Sequence, residues 1–251
     1  MAEYKAPLRD MRFVLTELFD YNDINQMPGC EDFTPDVVEA VLQEAAKVCE
    51  EVLFPINRSG DEEGCTWDDG VVTTPKGFKE AYQTFAEGGW TGIACDPTYG
   101  GQGAPKSINA LVEEMICSTN LSFGMYPGLS FGAYAALHSH ASDELKDKYL
   151  PKMVEGTWSG TMCLTEPHCG TDLGIIKTKA EPLDDGSYAI SGTKIFISAG
   201  EHDLTENIIH LVLAKLPDAP KGTKGISLFL VPKFMVGDDG SLGDRNAVKC
   251  G

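Results

Sequence analysis

The chain has too few basic residues to present a phosphate-binding surface of any size. Lys and Arg number 20 against 38 Asp and Glu in 251 residues, a net charge of -18. A field of that sign repels nucleic-acid backbones and anionic membranes, so no nucleic acid is expected as a partner. A small anionic ligand stays open, because a helix N-terminus or a few lysines can reverse the field inside a pocket. No C-x-x-C occurs among the eight cysteines, and their spacings form no zinc pattern. The N-terminal MAEYKAPLRD lacks the apolar core of a secretion signal, so free thiols and a cytoplasmic location are expected. Internal repeats and low-complexity tracts are absent. The glycine-rich PTYGGQG at 97–103 lacks G-K-[ST] and follows no strand, which excludes a Walker or dinucleotide loop and leaves an interhelical turn.

One long stretch lacks formal charge altogether. Met115 to Ser142 contains no Asp, Glu, Lys or Arg, and Gly124, Gly128 and Gly132 fall at G-x-x-x-G spacing within it. Pro127, Asn120, the serines, His138 and His140 dilute its hydrophobicity, and flanking cations are missing on the near N-terminal side. No transmembrane segment is expected. The stretch reads as helices inside a soluble domain, with glycines leaving space for another helix or a ligand. His138 and His140 are two apart, so on a helix they point in different directions and are structural or exposed rather than paired ligands.

What is present divides the chain by periodicity. Thr34-Pro35-Asp36 predicts a helix start, with Thr as N-cap and Pro in the first turn. Val37, Val41, Ala45, Val48 and Val52 then form a helical stripe ending near Pro55. Thr74-Pro75 repeats the start signal; Phe78, Tyr82 and Phe85 follow at helical spacing, and Gly88-Gly89 stops that helix. Further helices are predicted over 107–119 and from Ser142, where Asp143 and Glu144 suit a first turn. From Trp158 the pattern becomes short β-branched and aromatic runs: WSGTMCLT, KTKAEPL, YAISGTKIFIS, IIHLVLAKL and ISLFLVPKF. Asp184-Asp185-Gly186 suits a hairpin turn between two of them. The fold class is α+β: an N-terminal all-α helical domain, then an antiparallel β domain. The boundaries expected are an extension over 1–33, a helical domain over 34–157 and a β domain over 158–251. The last strand is followed by no element to cover the sheet edge, so the β domain is expected to be incomplete.

Chemistry concentrates in MCLTEPHCGTDLG at 162–174. Cys163, His168 and Cys169 offer metal donors at an unusual spacing, Cys169 beside His168 offers a nucleophile and base, and Glu166 with Asp172 offers an acid–base pair. Each has a plainer reading as a turn former or cap. The favoured reading is a backbone site. Thr165 ends a strand, Pro167 removes a donor, Gly170 permits close approach, and Thr171-Asp172 adds hydroxyl and capping groups, so N–H groups face an anion or heterocycle.

A family resemblance runs through four motifs in order. MCLTEPHCGTDLG resembles the flavin segment C-x-T-E-P-x-x-G-S-D of the acyl-CoA dehydrogenases, and GTKIFISAG at 192–200 resembles their second flavin segment, G-x-K-x-W-I-T-N-G. GWTGIACDPTYGGQG is similar to the family's Y-G-G turn, and DELKDKYLPKMVEGTWSG to its Q-K-x-K-Y-L-P helix end. YKAPLRDMRFVLTELFD resembles a longer bacterial branch that includes 3-methylmercaptopropionyl-CoA dehydrogenases and other fatty-acyl-CoA dehydrogenases. The resemblance implies FAD, an acyl-CoA substrate dehydrogenated at its α,β bond, an electron-transfer flavoprotein as electron acceptor, and a homo-oligomer when full length. It implies a flavin site at Met162, Cys163, Leu164, Thr165, Gly170, Phe196, Ile197 and Ser198. Phe196 stands for the family's Trp, Ser198 for its Thr, and Ala199 for its Asn. Thr171, for the usual Ser, lies toward the acyl-CoA, and the 123–131 stretch with Phe123, Tyr126 and Ser130 reads either as acyl-pocket wall or as ordinary helix packing. No catalytic base is assigned, since the family takes it from a C-terminal helical domain not found in these residues, and the chain alone is expected to be inactive. An oxidase or flavin monooxygenase on the same scaffold, or a catalytically silent binding module, are the alternatives.

Overall fold

A computed structural model of the chain describes residues 3–251. Helices fill the chain to Glu155 and the principal sheet begins at Trp158, the expected α-then-β order. Two short helices, α1 (Leu8–Phe13) and α2 (Tyr21–Asn25), precede α3 (Pro35–Val48), α4 (Phe54–Glu63), α5 (Phe78–Glu87), α6 (Lys106–Thr119), α7 (Leu121–His140) and α8 (Asp143–Glu155). The predicted caps form: Thr34 Oγ1 accepts from Val37 N–H at 3.4 Å, and Ser142 Oγ from Leu145 N–H at 3.4 Å. Gly88 and Gly89 end α5 as expected.

Three local expectations are corrected. The helix from Pro35 does not end near Pro55. A π turn over Cys49–Leu53 moves the hydrogen bonding to i−5, and Pro55 falls in the first turn of α4, so the helical path continues past it. The buried stripe on α3 is Val38, Leu42, Ala45 and Ala46, continued by Cys49 and Leu53, while Val37 is 40% exposed. Neighbouring valines offered a second stripe one residue away, and packing chose the one carrying the larger Leu42 and Leu53. Helix α5 starts at Phe78 rather than Thr74, because Asp203 accepts both Thr74 N–H (3.0 Å) and Thr74 Oγ1–H (2.7 Å) and holds that residue outside the helix.

The first core lies among the helices: Leu42, Leu53, Phe78, Phe85, Ile108, Met115 and Phe123 are fully buried, each worth roughly 1.5–3 kcal/mol. Met11, Leu15, Tyr21 and Phe33 join it, so the N-terminal extension packs into the helical layer. Asn120 separates α6 from α7, accepting from Phe123 N–H (3.0 Å) and donating to the Leu53 carbonyl (3.1 Å). Among the described residues no helix is long and apolar enough to cross a membrane.

Two strands, β1 (Thr66–Asp68) and β2 (Val71–Thr73), form a small hairpin whose Asp69-Gly70 turn has positive φ at both residues. The main sheet contains β3 (Trp158–Cys163), β4 (Lys179–Pro182), β5 (Tyr188–Ser191), β6 (Asn207–Lys215) and β7 (Ile226–Pro232). Gly186 turns the β4–β5 hairpin at φ 85°, as expected. The sheet is mixed rather than purely antiparallel. β3 runs parallel to β6 from Trp158↔Asn207 to Cys163↔Val212, β4 touches the same edge at Lys179↔Lys215, and β7 is antiparallel on the other edge. A short pair, β8 (Phe234–Val236) and β9 (Leu242–Arg245), follows. The second core joins α7 and α8 to the sheet through Tyr134, Leu150, Met153, Trp158, Ile209 and Leu211. A Cβ at Gly160 would lie 2.4 Å from that of Ala133, so only glycine lets β3 sit this close to α7.

Candidate functional site

The sheet positions two segments that the sequence separates. β3 carries Met162 and Cys163 and leaves the ladder at Leu164-Thr165; the strand-like run after β5 becomes irregular from Gly192 to Gly200. Ile195 N–H donates to the Thr165 carbonyl at 2.9 Å, and Lys194 Nζ donates to the Leu164 carbonyl at 3.1 Å. These bonds hold Leu164-Thr165 beside the segment bearing Phe196, Ile197 and Ser198.

Glu166 organises the junction. Its Oε1 accepts from Thr178 Oγ1 (2.6 Å), Thr178 N–H (3.0 Å) and Lys194 Nζ (2.9 Å), and Oε2 accepts from Lys177 N–H at 2.7 Å. The side chain is only 3% exposed. Burial alone would raise its pKa, but the hydrogen bonds from Thr178, Lys177 and Lys194 outweigh it and bring the carboxyl down to about 2. Glu166 and Cys169 exchange two backbone hydrogen bonds, 2.9 and 3.0 Å, closing the EPHC turn. Asp172 Oδ1 accepts from Gly174 N–H at 3.1 Å. Both acids are therefore turn and capping groups, and Glu166 has no oxygen free to remove a proton.

The thiol and metal readings lose their chemistry in the same geometry. Cys163 is buried with its Sγ 4.0 Å from His210 Nδ1, and burial pushes its thiol up. Glu166, His168 and Cys169 do bring three donor atoms within 4.8 Å of one another. However, the cation already paired with Glu166 is Lys194, and His168 Nε2 lies 3.0 Å from the Ile175 carbonyl, which requires the protonated nitrogen. All eight cysteines are free.

The segment from 196 to 200 is unusual. Phe196 is 89% exposed, and it and Ala199 have positive φ, 57° and 53°. Gly200 N–H closes the turn onto the Ile197 carbonyl at 3.1 Å. Among the described residues the hydroxyls of Thr165, Thr171 and Ser198 and the N–H groups of Leu164 and Thr165 take no protein partner. Met162, on the Trp158–Gly160 side of β3, is 39% exposed, and a Cβ on Gly170 would meet only Thr165 Cγ2, at 3.6 Å. The chain's own packing thus does not demand glycine at 170.

The 123–131 stretch behaves otherwise. Phe123 is wholly buried against Phe78, Tyr82 and Phe85, with ring centroids 6.1, 6.3 and 5.6 Å away. Ser130 Oγ donates to the Tyr126 carbonyl (2.9 Å) and accepts from Gly160 N–H (3.1 Å), clamping α7 to β3. Tyr126 is half-buried and packs edge-on against His202, centroids 5.1 Å apart. Phe123 and Ser130 are buried in these contacts, and Tyr126 is partly buried against the first core. The PTYGGQG segment is the predicted interhelical turn, and a Cβ on Gly101 would lie 2.1 Å from the Cys95 carbonyl oxygen. His138 Nε2 lies 3.0 Å from Asp96 Oδ2.

Comparison with known proteins agrees with this arrangement of a helical layer and a sheet joined at β3. A model of the acyl-CoA dehydrogenase N-terminal domain matches residues 36–157, and one of the acyl-CoA dehydrogenase middle domain matches residues 161–245. The chain belongs to the acyl-CoA dehydrogenase family. It is 44% identical over 98% of its length to 3-methylmercaptopropionyl-CoA dehydrogenase of Ruegeria pomeroyi, covering 42% of that protein. It is 42% identical over 98% of its length to a butyryl-CoA dehydrogenase of Syntrophomonas wolfei, covering 41% of it. The structure of butyryl-CoA dehydrogenase from Megasphaera elsdenii superposes with a TM-score of 0.64 at 25% identity, over 79% of this chain and 49% of that one. The chain thus spans about two-fifths of the length of these curated relatives.

In this member of the acyl-CoA dehydrogenase family, several residues that fasten the two segments carry little motif signal. Lys194 was visible as the K of GTKIFISAG, but its partner Glu166 lies in the other motif. Thr178, Ser159, His202 and His210 carry no local signal at all. Thr178 bonds Glu166, Ser159 meets His202, and the parallel pairing of β3 and β6 sets Thr161 opposite His210, with Thr161 Oγ1 2.8 Å from His210 Nδ1.

Proposed function

We propose that this chain supplies the flavin-facing shelf of an FAD-dependent acyl-CoA dehydrogenase. The observation that carries the reading is the fastening of Leu164-Thr165 to Lys194-Ile195, which sets free donors and an exposed aromatic ring side by side. A left-handed, non-glycine backbone at Phe196 costs on the order of 1–2 kcal/mol, and it turns an apolar ring into solvent. A flat, partly apolar heterocycle with acceptor atoms along one edge accounts for both features. Met162, Cys163, Leu164, Thr165, Gly170, Phe196, Ile197 and Ser198 would hold it, and Thr171 would face the acyl-CoA.

FAD held there would supply the acceptor for a hydride from the acyl β-carbon. The N–H groups of Leu164 and Thr165 and the Thr165 and Ser198 hydroxyls are fixed donors, so they stabilise developing negative charge without reorganising at the moment of reaction. Phe196 covers the site by packing but brings no indole N–H. Glu166 is buried and hydrogen-bonded through both oxygens, so it is not proposed as the base, and no base is assigned among these residues. An electron-transfer flavoprotein is the proposed acceptor, and homo-oligomeric assembly and a cytoplasmic location belong to the same proposal.

Anaerobic mixing of the protein, expressed from its complete open reading frame, with a series of acyl-CoAs tests this. Bleaching of the flavin by at least one of them is expected, with activity retained in Cys169→Ala and lost in Thr165→Val. A flavin that no acyl-CoA reduces overturns the dehydrogenase reading. Reduction followed by rapid reoxidation in air favours an oxidase on the same shelf.

A further inference from the structure

Phe196–Ser198 hangs on a span fastened at both ends. The upstream end is Lys194-Ile195 on Leu164–Glu166. The downstream end is the 201–205 loop, whose His202 is 1% exposed. Every proton around His202 can be placed from the hydrogen bonds. Leu204 N–H donates to His202 Nδ1 at 3.2 Å, so Nδ1 carries no proton. Thr205 Oγ1–H donates to the Asn207 carbonyl at 2.9 Å, so Thr205 can only accept from Ser159 Oγ, 3.1 Å away. The Ser159 proton is thereby used, and the 3.0 Å contact to His202 must run from His202 Nε2–H to Ser159 Oγ. The imidazole is neutral and in one tautomer.

The same ring meets Tyr126 of α7 edge-on. Next to it, Asp203 accepts from Thr74 ahead of α5. Glu201 on its other side pairs with Lys233 and, at 3.0 Å, with Arg245. Helical layer, β3 and the β7–β8 corner therefore all converge on a loop three residues beyond Ser198. Charged and titratable groups around the ring are Glu201 and Asp203 of its own loop, Lys233 and His210.

We propose that His202, as the Nε2–H imidazole donating to Ser159, is a positioning residue that sets the flavin-facing Phe196–Ser198 segment against β3. It touches no reacting atom; it transmits the placement of α7 and β3 to the segment. The inference rests on the flavin-shelf reading above. A loop tied only by apolar contact could slide along β3, whereas a directional hydrogen-bond chain with every donor used admits one register.

The test combines two measurements on the full-length protein. Nitrogen-15 NMR of the histidines should show one imidazole as the neutral Nε2–H tautomer, unchanged from about pH 8 to about pH 5. In Ser159→Ala and His202→Gln, with circular dichroism as in wild type, the visible flavin spectrum should shift and flavin should dissociate at least about tenfold faster. A His202 that is cationic or Nδ1-protonated at neutral pH overturns the proposal, as do variants that match wild type in both spectrum and release. The NMR arm needs no variant to fold. Failure of the parent reading is separately visible as a wild-type protein carrying no flavin, and the positioning role then falls with it.

Discussion

Replacing Glu166 by Gln changes one atom in a site where both carboxylate oxygens already accept hydrogen bonds. The carboxylate accepts three hydrogen bonds at Oε1 and one at Oε2, and its negative charge faces the Lys194 ammonium 2.9 Å away. If the amide oxygen takes the Oε1 place, the NH2 group points at Lys177 N–H, donor against donor. The flipped amide opposes three donors instead. In either pose Lys194, whose side chain is only 9% exposed, is left without a counter-charge. The carboxyl pKa of about 2, against an ordinary 4.5, means that the folded protein favours the charged form by about 3 kcal/mol. Removing one member of a buried ion pair costs a similar 3–5 kcal/mol or so. Glu166→Gln should therefore lower unfolding free energy by about 3 kcal/mol at pH 7, read from urea unfolding. The sign with pH follows from a depressed folded pKa: the Glu166 contribution is present above about 4.5 and fades as pH falls toward 2. The gap between wild type and variant should close over that window. A loss below about 1 kcal/mol at pH 7, or a gap independent of pH, would refute the assignment of Glu166 as the keystone of the two segments.

Two further outcomes follow from buried groups. His202 and His210 are pushed from 6.5 down to about 4, mainly by burial, with the Lys233 charge adding to it and Glu201 opposing. The unfolded chain takes up both protons below 6.5 while the folded chain refuses them until about 4, so unfolding free energy should fall across that window by up to about 3 kcal/mol per histidine, and the thermal midpoint should fall with it. A midpoint that stays flat from pH 7 to pH 5 contradicts the buried, neutral imidazoles. Gly160→Ala must push β3 away from α7, since the new methyl would overlap Ala133 at 2.4 Å and Met153 at 2.9 Å. The expected cost is about 1–3 kcal/mol in denaturant unfolding, and a neutral result would mean that this close approach does not limit the strand.

Much of the architecture was legible because it is local. Thr34-Pro35 and Ser142 announce helix starts through a side-chain oxygen and a first-turn preference, which depend on three or four neighbouring residues only. The Asp185-Gly186 turn likewise follows from backbone freedom at one position. Errors arose where a distant partner intervened. Thr74 looked like a cap until Asp203 captured its N–H and hydroxyl. The stripe read through Val37 and Val41 lies one residue from the face that is buried, Val38 and Leu42, and that face is the one packed in the helical core with α6. Strand runs were visible, but pairing direction was not. The successive strands were expected to be antiparallel, whereas β3 runs parallel to β6, and that sense sets Thr161 opposite His210.

For the site the division is sharper. The MCLTEPHCGTDLG and GTKIFISAG segments display their residue types, their spacing and their family likeness in one dimension, which is enough to place the chain in the acyl-CoA dehydrogenase family. The sequence cannot say that Glu166 is spent on Lys194 and Thr178, that Phe123 is sealed inside an aromatic cluster, or that His202 has a single allowed tautomer. Each of those facts is the outcome of competition for a limited number of donors, acceptors and buried positions. Such competition is settled only when segments far apart in the chain are brought within hydrogen-bonding distance.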